Sequence, residues 1–314
     1  MELIRLSFIS IIPLLIVALG GLMSEKSGVT NIALEGIMLL GAFCGIWIIK
    51  GLEASNMPIQ FIYFIGILAG GFIGALVASL HAYASISMKA DQTISATAIN
   101  LFAPAFAIFT ARIVIGAQQI KFKSNFRIDK VPLLGDIPFI GDLFFKNTYL
   151  SFYIGIVILI IVWVFLYKTK TGLRIRAVGE NPHAADSQGV SVKKIRYLSV
   201  ILSGVLAGMG GVIFVATTSN SFDATVAGMG FLAIAVLIFG NWRPGRILFA
   251  AVFFGFFRTV ASAPTLIPFL QGVSIPSEIY QMLPYVITLV VLAFTSKNSR
   301  APKSIGQVYE KDKR

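Results

Sequence analysis

Long runs of apolar residues, separated by short polar segments, extend along the chain as far as position 296. A helix that crosses the bilayer core needs about 20 mostly apolar residues. Helices are the predicted structure, because no run alternates like a half-buried strand and because backbone groups in lipid must be hydrogen-bonded internally. The nine predicted spans are 7–23, 31–50, 59–80, 91–116, 149–167, 198–217, 226–240, 246–263 and 278–296.

Composition supports an all-α, polytopic membrane domain. Hydrophobic residues make up 56% of the chain and charged residues 13%, whereas soluble proteins carry about 25% charged residues. The net charge of +12 does not indicate a nucleic-acid partner, because the basic residues lie between the apolar runs and not in one soluble region. We therefore expect a single domain, 1–314, whose surroundings are membrane lipid.

The distribution of Lys and Arg predicts the orientation of the spans. The segment 168–197 contains seven Lys and Arg residues and is predicted to be cytoplasmic. Alternation of the spans then places the N-terminus and the loop 117–148 outside and the tail 297–314 in the cytoplasm. The nine spans would thus run from an outer N-terminus to an inner C-terminus.

Two groups of four predicted spans flank the fifth span and run in opposite directions. Gly-Gly pairs at 20–21 and 210–211 fall at comparable places in the first and sixth spans. This is the pattern of an inverted repeat, with chance placement of glycine as the alternative. Gly204 and Gly208 lie four positions apart, which predicts close packing of helix backbones.

The cytoplasmic segment contains a candidate short helix within TGLRIRAVGENPHAADSQGVSVKKIR, residues 171–196. Asn181 is a capping residue type, Pro182 suits the first turn of a helix, and Gly189 can end one. We predict a helix over about 182–188. An ordinary solvated loop is the alternative that composition leaves open.

The sequence carries no signature of an enzyme. It lacks the G-x-x-x-x-G-K-[ST] loop that cradles phosphates. One cysteine, Cys44, and two histidines about a hundred positions apart predict no metal site. No Ser/His/Asp set or pair of catalytic carboxylates lies on an outer loop. We predict a protein that is not an enzyme, holds no cofactor or metal, and takes its energy from a partner.

Four stretches together resemble the permeases of bacterial ABC importers of the ribose, branched-chain amino acid and nucleoside branch. AVG at 177–179, AA at 184–185 and KI at 194–195 resemble their ATPase-coupling segment. The stretches 20–43, 89–101 and 301–309 resemble the nucleoside-type subgroup of these permeases. The resemblance covers essentially the whole chain.

The resemblance implies a subunit of the bacterial inner membrane that imports a small polar solute, preferably a nucleoside, by alternating access. It also implies three protein partners: a cytoplasmic ABC ATPase that binds ATP and Mg, a second homologous permease, and an extracytoplasmic solute-binding lipoprotein. Simple sugars or other small solutes are the alternative substrates. An ion-coupled secondary transporter is a further alternative; it would need a proton or sodium site inside the membrane, for which Glu35 and Asp91 are the candidate residues.

The resemblance assigns a set of candidate residues to ATPase coupling. Alanines at 184 and 185 are small enough to seat the short helix in a groove of the ATPase. We therefore expect Ala185→Trp to spare membrane insertion while weakening the ATPase contact. The coupling set is Gly179, Glu180, Asn181, Pro182, Ala184, Ala185 and Gly189.

Polar residues near membrane depth form a second candidate set, which would line the substrate path. Asn31 and Glu35 lie four positions apart and so share one helix face. The alternative role for this pair is a structural link near the cytoplasmic surface, in which Lys26 pairs with Glu35. For the other candidates in the set, the alternative is a helix cap or a hydrogen bond between helices. The substrate-path candidates are Asn31, Glu35, Ser95, Asn100, Asn220 and Asp223.

Arg258 lies well inside the eighth predicted span. An arginine at the bilayer centre costs about 2.5–3.5 kcal/mol on insertion scales. We therefore expect its guanidinium group to face the helix bundle or to reach the outer interface, and not to contact lipid at mid-depth.

Overall fold

The computed structural model describes residues 2–132, 134–138, 140–262, 282, 286 and 301–310. Most of this part of the chain is α-helical, as the apolar runs predict. The helices are α1 (Glu2–Glu25), α2 (Leu34–Leu52), α3 (Ile59–Ala82), α4 (Gln92–Ile115), α5 (Leu150–Lys168), α6 (Lys170–Glu180), α7 (Pro182–Ser187), α8 (Val192–Thr218), α9 (Met229–Phe239) and α10 (Pro244–Ser262).

Seven of these helices are long and apolar enough to cross a membrane: α1, α2, α3, α4, α5, α8 and α10. Each occupies a predicted span to within a few residues, so the chain is a polytopic helical membrane protein. Of the two remaining predictions, the span 226–240 corresponds to the shorter helix α9. The span 278–296 lies outside the described residues, apart from single positions.

Helix α8 is the central helix of the described bundle, and α1, α2 and α3 all pack against it. Gly20 of α1 lies against Ser203 of α8, while Gly210 of α8 lies against Pro13 of α1. This reversed order shows that the two helices run in opposite directions. Helix α1 is apolar on all sides and almost entirely buried from Ser10 onwards, as expected of a central helix.

Glycines let three helix backbones touch at the centre of the bundle. A Cβ atom on Gly208 would meet the carbonyl oxygen of Gly70 in α3, and a Cβ on Gly41 in α2 would meet Gly208 itself. Gly204 approaches Gly74 of α3 in the same way. The predicted pair of Gly204 and Gly208 therefore helps to bring α2, α3 and α8 into backbone contact.

Replacing Gly208 with leucine is expected to lower the thermal midpoint and the folded yield of the permease in detergent. The obstacle is backbone, which cannot rotate away, so the cost should reach or exceed the roughly 1–3 kcal/mol typical of overpacking. Gly51→Leu is the matched control, because a Cβ there meets nothing within 4 Å. Equal melting curves for the two variants would contradict the tight packing.

Segments predicted to be cytoplasmic meet at one end of the bundle. The Trp242 indole N–H, after α9, donates to the Glu25 carboxylate at the end of α1 over 2.5 Å. The backbone N–H of Ser304, in the tail, donates to the Gly179 carbonyl at the end of α6 over 3.0 Å. These contacts join three loops and the tail at what we call the inner end.

Segments predicted to lie outside meet at the opposite end. The Glu53 carboxylate, just after α2, accepts hydrogen bonds from the backbone N–H groups of Lys123 and Ser124 in the long loop. That loop also contains short strands that the sequence did not predict. They are β1 (Ile120–Lys121), β2 (Arg127–Lys130) and β3 (Lys146–Tyr149); β2 pairs with β3, and β1 pairs with β4 (Ser221–Phe222), all antiparallel.

The prediction of a complete span at 226–240 was wrong. Helix α9 has 11 residues and is about 16 Å long at 1.5 Å per residue, about half of the ~30 Å hydrocarbon core. The preceding residues, 219–228, are not helical. Since the end of α9 is held at the inner end through Trp242, its first turn lies near the middle of the membrane.

Candidate functional site

Helix α2 also begins inside the membrane and not at its surface. The Asn31 side-chain amide, just before α2, donates to the Ser203 hydroxyl over 2.9 Å. Ser203 lies 11 residues (192 to 203) into the 27-residue α8, which is about 16 Å from the inner end of that helix. Segment 26–33 therefore turns back alongside α8 after α1 and enters the membrane before α2 starts.

Glu35 connects the two helices that start at this depth. Its carboxylate oxygens accept from the backbone N–H of Gly228 (2.9 Å) and of Gly230 (2.7 Å). These N–H groups belong to the first turn of α9 and have no partner within their own helix. A carboxylate at a helix N-terminus is also favoured by the helix dipole. Glycine is needed at 230, because a Cβ there would meet the backbone of Glu35.

This geometry contradicts the alternative in which Glu35 pairs with Lys26 near the cytoplasmic surface. Glu35 is engaged at mid-depth with α9, whereas Lys26 lies at the inner end. Burial lowers the pKa of Lys26, and the charges around it are those of Glu180, which raises this pKa, and of Arg176 and Arg243, which lower it. The sequence spacing alone could not show this, because Glu35's partners lie more than 190 residues away.

Asn100 of α4 caps the start of α2. Its side-chain oxygen accepts from the backbone N–H of Gly36 over 2.8 Å, and its amide donates to the carbonyl of Ile32 over 3.0 Å. Together these bonds satisfy one donor and one acceptor that the interrupted backbone leaves open inside the membrane. We call the cluster of Asn31, Glu35, Asn100 and Ser203 with the N-terminus of α9 the mid-depth junction.

A second group of polar side chains holds the segment that rises to the junction. The Thr30 backbone N–H donates to the Gln92 side chain over 2.7 Å. The His81 ring lies 3.1 Å from the Thr30 carbonyl through Nε2 and 3.0 Å from the Ser95 hydroxyl through Nδ1. Because a carbonyl only accepts, Nε2 is the nitrogen that carries hydrogen.

Sequence reasoning missed two members of this group. The histidines were considered only as metal ligands, and Gln92 was given no role of its own within the stretch 89–101, yet the side chains of His81 and Gln92 are both buried. A polar residue next to a long apolar run is costly to bury unless it has a partner, and that signal could have identified His81, which follows the run 59–80.

The remaining substrate-path candidates lie elsewhere. Asn220 and Asp223 are exposed at the outer end, where the Asn220 carbonyl accepts from the Phe122 N–H and the Ser221 hydroxyl donates to Asp223. The structure thus gathers Asn31, Glu35, Asn100 and, one layer below, Ser95. Segments 26–33 and 219–228 approach the junction from opposite ends; the inverted repeat itself stays a prediction.

Arg258 of α10 faces the bundle, as expected. Its guanidinium group donates to the Ala227 carbonyl over 3.0 Å and lies over the Phe214 ring at 5.7 Å. It is also within electrostatic range of the Glu35 carboxylate. The cation therefore stabilises the non-helical turn that precedes α9 and does not face lipid alone.

The cytoplasmic segment contains the predicted short helix. Asn181 caps α7 by accepting from the Ala184 N–H over 3.0 Å, and Pro182 occupies its first turn. Gly189 follows with a left-handed φ of 78°, which glycine adopts most readily. The helix α6, which precedes α7 directly, was not predicted.

The structure corrects one expectation about α7. Ala185 is only 6% exposed and packs into the permease itself, whereas Ala184 is exposed. A tryptophan at 185 would therefore disturb the permease core, and it would not test docking alone. Of the two alanines, Ala184 is the one that a partner can contact.

Comparisons with known proteins match this architecture. Residues 3–292 match the family described as branched-chain amino acid transport system / permease component. The chain is 41% identical over 302 residues to the nucleoside ABC transporter permease protein NupC of Lactococcus lactis subsp. cremoris, covering 96% of this chain and 94% of the relative. It is 41% identical over 307 residues to the guanosine ABC transporter permease protein NupQ of Bacillus subtilis, with the same coverage.

A third relative is named for a different solute. A Haloferax volcanii protein, TsgC13, whose name assigns it to glucose ABC transport, is 31% identical over 328 residues and covers 95% of this chain and 94% of its own length.

Proposed function

Because the chain belongs to the permease family of branched-chain amino acid transport systems, we propose that it carries nucleosides through the membrane. The chain is a multi-pass permease subunit of an ATP-binding cassette importer in the inner membrane, and its role is transport and not catalysis. The observation that supports nucleosides is the 41% identity, over nearly the whole chain, to two permeases named for nucleoside and guanosine transport.

The mid-depth junction supports a translocation role. Two helices begin inside the membrane, and their first turns carry polar side chains and backbone N–H groups to the depth where a transported solute must pass. In transporters of other folds, solutes bind at the midplane next to interrupted helices. In this proposal Asn31, Glu35 and Asn100 shape the path directly, Ser95 supports it from below, and Asn220 and Asp223 lie at its outer entrance.

Energy for transport must come from the ATPase partner that membership of this family implies. We infer that α7 docks on that ATPase, which binds ATP and Mg, and that a second permease of the same family completes the pore. An extracytoplasmic lipoprotein would deliver the solute to the outer end. Closure of the ATPases would push α7 and rock the two permeases about the junction, so that the path opens to one side at a time.

Simple sugars remain the second candidate substrate, and the relative named for glucose is the observation that favours them. Its identity of 31% is lower than the 41% shared with the nucleoside and guanosine permeases. An ion-coupled secondary transporter is excluded by membership of the permease family.

Uptake of labelled guanosine tests the proposal. Cells without their own nucleoside uptake, expressing this permease with its partner subunits, should accumulate guanosine, and excess unlabelled adenosine or uridine should compete while glucose should not. The control is the same complex with an ATPase inactivated in its phosphate-binding loop. Accumulation of labelled glucose by the same complex, without accumulation of labelled guanosine, would assign the protein to sugar transport instead.

A further inference from the structure

The tail residues 301–310, which we call the strap, join segments that are distant in the sequence. Ser304 is 2% exposed. Its backbone N–H donates to the Gly179 carbonyl over 3.0 Å, and its hydroxyl donates to the same oxygen over 2.8 Å. The strap is thereby fixed to the last turn of α6, immediately before α7.

Two residues later the strap binds the loop between α1 and α2. The Gly306 N–H donates to the Gly28 carbonyl over 3.1 Å, with Gly306 in a left-handed conformation of φ 73°. The same loop also touches α6 directly, because a Cβ on Gly179 would meet the carbonyl oxygen of Lys26. Three backbone segments therefore meet without side chains between them.

Arg196 adds the start of α8 to this assembly. The residue is only 2% exposed. Its guanidinium group donates to the Ser27 carbonyl over 3.3 Å and to the Gln307 carbonyl over 2.9 Å. A buried cation is costly unless it is well hydrogen-bonded, so both carbonyls are held in place around it.

The far end of the strap reaches the coupling helix itself. The Tyr309 ring lies 5.2 Å from the ring of His183 in α7. The exposed ion pair of Glu310 with Lys89, at 3.2 Å, adds a weaker link to the turn before α4. The strap thus contacts α6, α7, the loop 26–33 and the start of α8, together with the turn before α4.

We propose that the strap makes α6, α7 and the loop 26–33 move as one unit, so that displacement of α7 shifts the start of α2. The inference rests on the proposed function, in which the ATPase moves α7. The loop that the strap holds leads without interruption to Asn31 and Glu35. Without the strap, α7 would still dock on the ATPase, but its movement would be lost before it reached the mid-depth junction.

Gly306→Pro tests this role in the assembled transporter, with Gly306→Asn as the matched control. Proline removes the N–H that binds Gly28 and cannot adopt the positive φ. Asparagine keeps the N–H and tolerates this conformation, and a Cβ there meets no atom closer than Thr30 Oγ1 at 3.5 Å. Three quantities are measured: guanosine uptake, co-purification and hydrolysis rate of the ATPase, and the ATP-dependent change in hydrogen exchange of residues 24–33.

For Gly306→Pro we expect wild-type ATPase binding and hydrolysis, but no ATP-dependent change in hydrogen exchange of residues 24–33. Uptake should fall by about tenfold, which lies within the roughly 5- to 150-fold effects that typical coupling between sites produces. Gly306→Asn should match wild type in all three. An exchange response that survives in the proline variant, or ATPase binding that falls together with uptake, would overturn the proposal. The exchange measurement needs no solute, so it decides the role of the strap even if the wild-type complex takes up no nucleoside.

Discussion

Replacing Glu35 with alanine is expected to reduce nucleoside uptake by the assembled transporter by roughly 10²-fold, because it leaves two buried N–H groups of α9 without an acceptor. Hydrogen bonds to a charged group contribute about 1.5–3 kcal/mol each. The start of α9, without its acceptor, would then shift relative to α2, and the junction would lose its geometry. Uptake and the thermal midpoint of the purified complex should both fall.

Two further variants separate this effect from a general loss of stability. Glu35→Gln keeps one acceptor oxygen and nearly the same shape, so its uptake should lie between those of wild type and Glu35→Ala. Glu53→Ala removes a carboxylate that also accepts two backbone N–H groups, but at the outer end. We expect Glu53→Ala to retain most uptake; a loss as large as that of Glu35→Ala would remove the special role of the junction.

Ala184→Trp is expected to weaken ATPase association strongly while leaving the permease folded. The side chain of Ala184 is exposed on α7, so an indole there changes the docking surface and not the core. Overpacking a close contact costs about 1–3 kcal/mol, which weakens association by about 5- to 150-fold. Co-purification of the ATPase from membranes with equal permease levels measures this change directly, and uptake should fall with it.

Ala185→Trp is the matched comparison on the neighbouring, buried face. Here the indole would enter the permease itself, so we expect lower yield and a lower melting temperature of the isolated permease. If Ala184→Trp left ATPase binding unchanged in a folded permease, α7 would not be the docking element. The two variants together thus separate docking from folding.

The spanning helices and the coupling helix could be predicted from sequence because the forces that create them are local. A run of about 20 apolar residues partitions into lipid whatever its neighbours are, and seven such runs became long helices close to the predicted bounds. Asn181 and Pro182 begin α7 through contacts within one helical turn. The motifs that identified the family are likewise contiguous stretches of sequence.

The depth of the helix starts and the partners of the polar residues were decided by tertiary structure. Hydropathy could not distinguish α9, which crosses about half of the membrane, from a full span, because residues 226–228 continue its apolar pattern. Which donors Glu35 binds, which of Ala184 and Ala185 is buried, and where the strap lies all depend on segments far away in the chain. Buried hydrogen bonds must be completed by whatever group the folded bundle brings near, and a linear pattern holds no record of that neighbour.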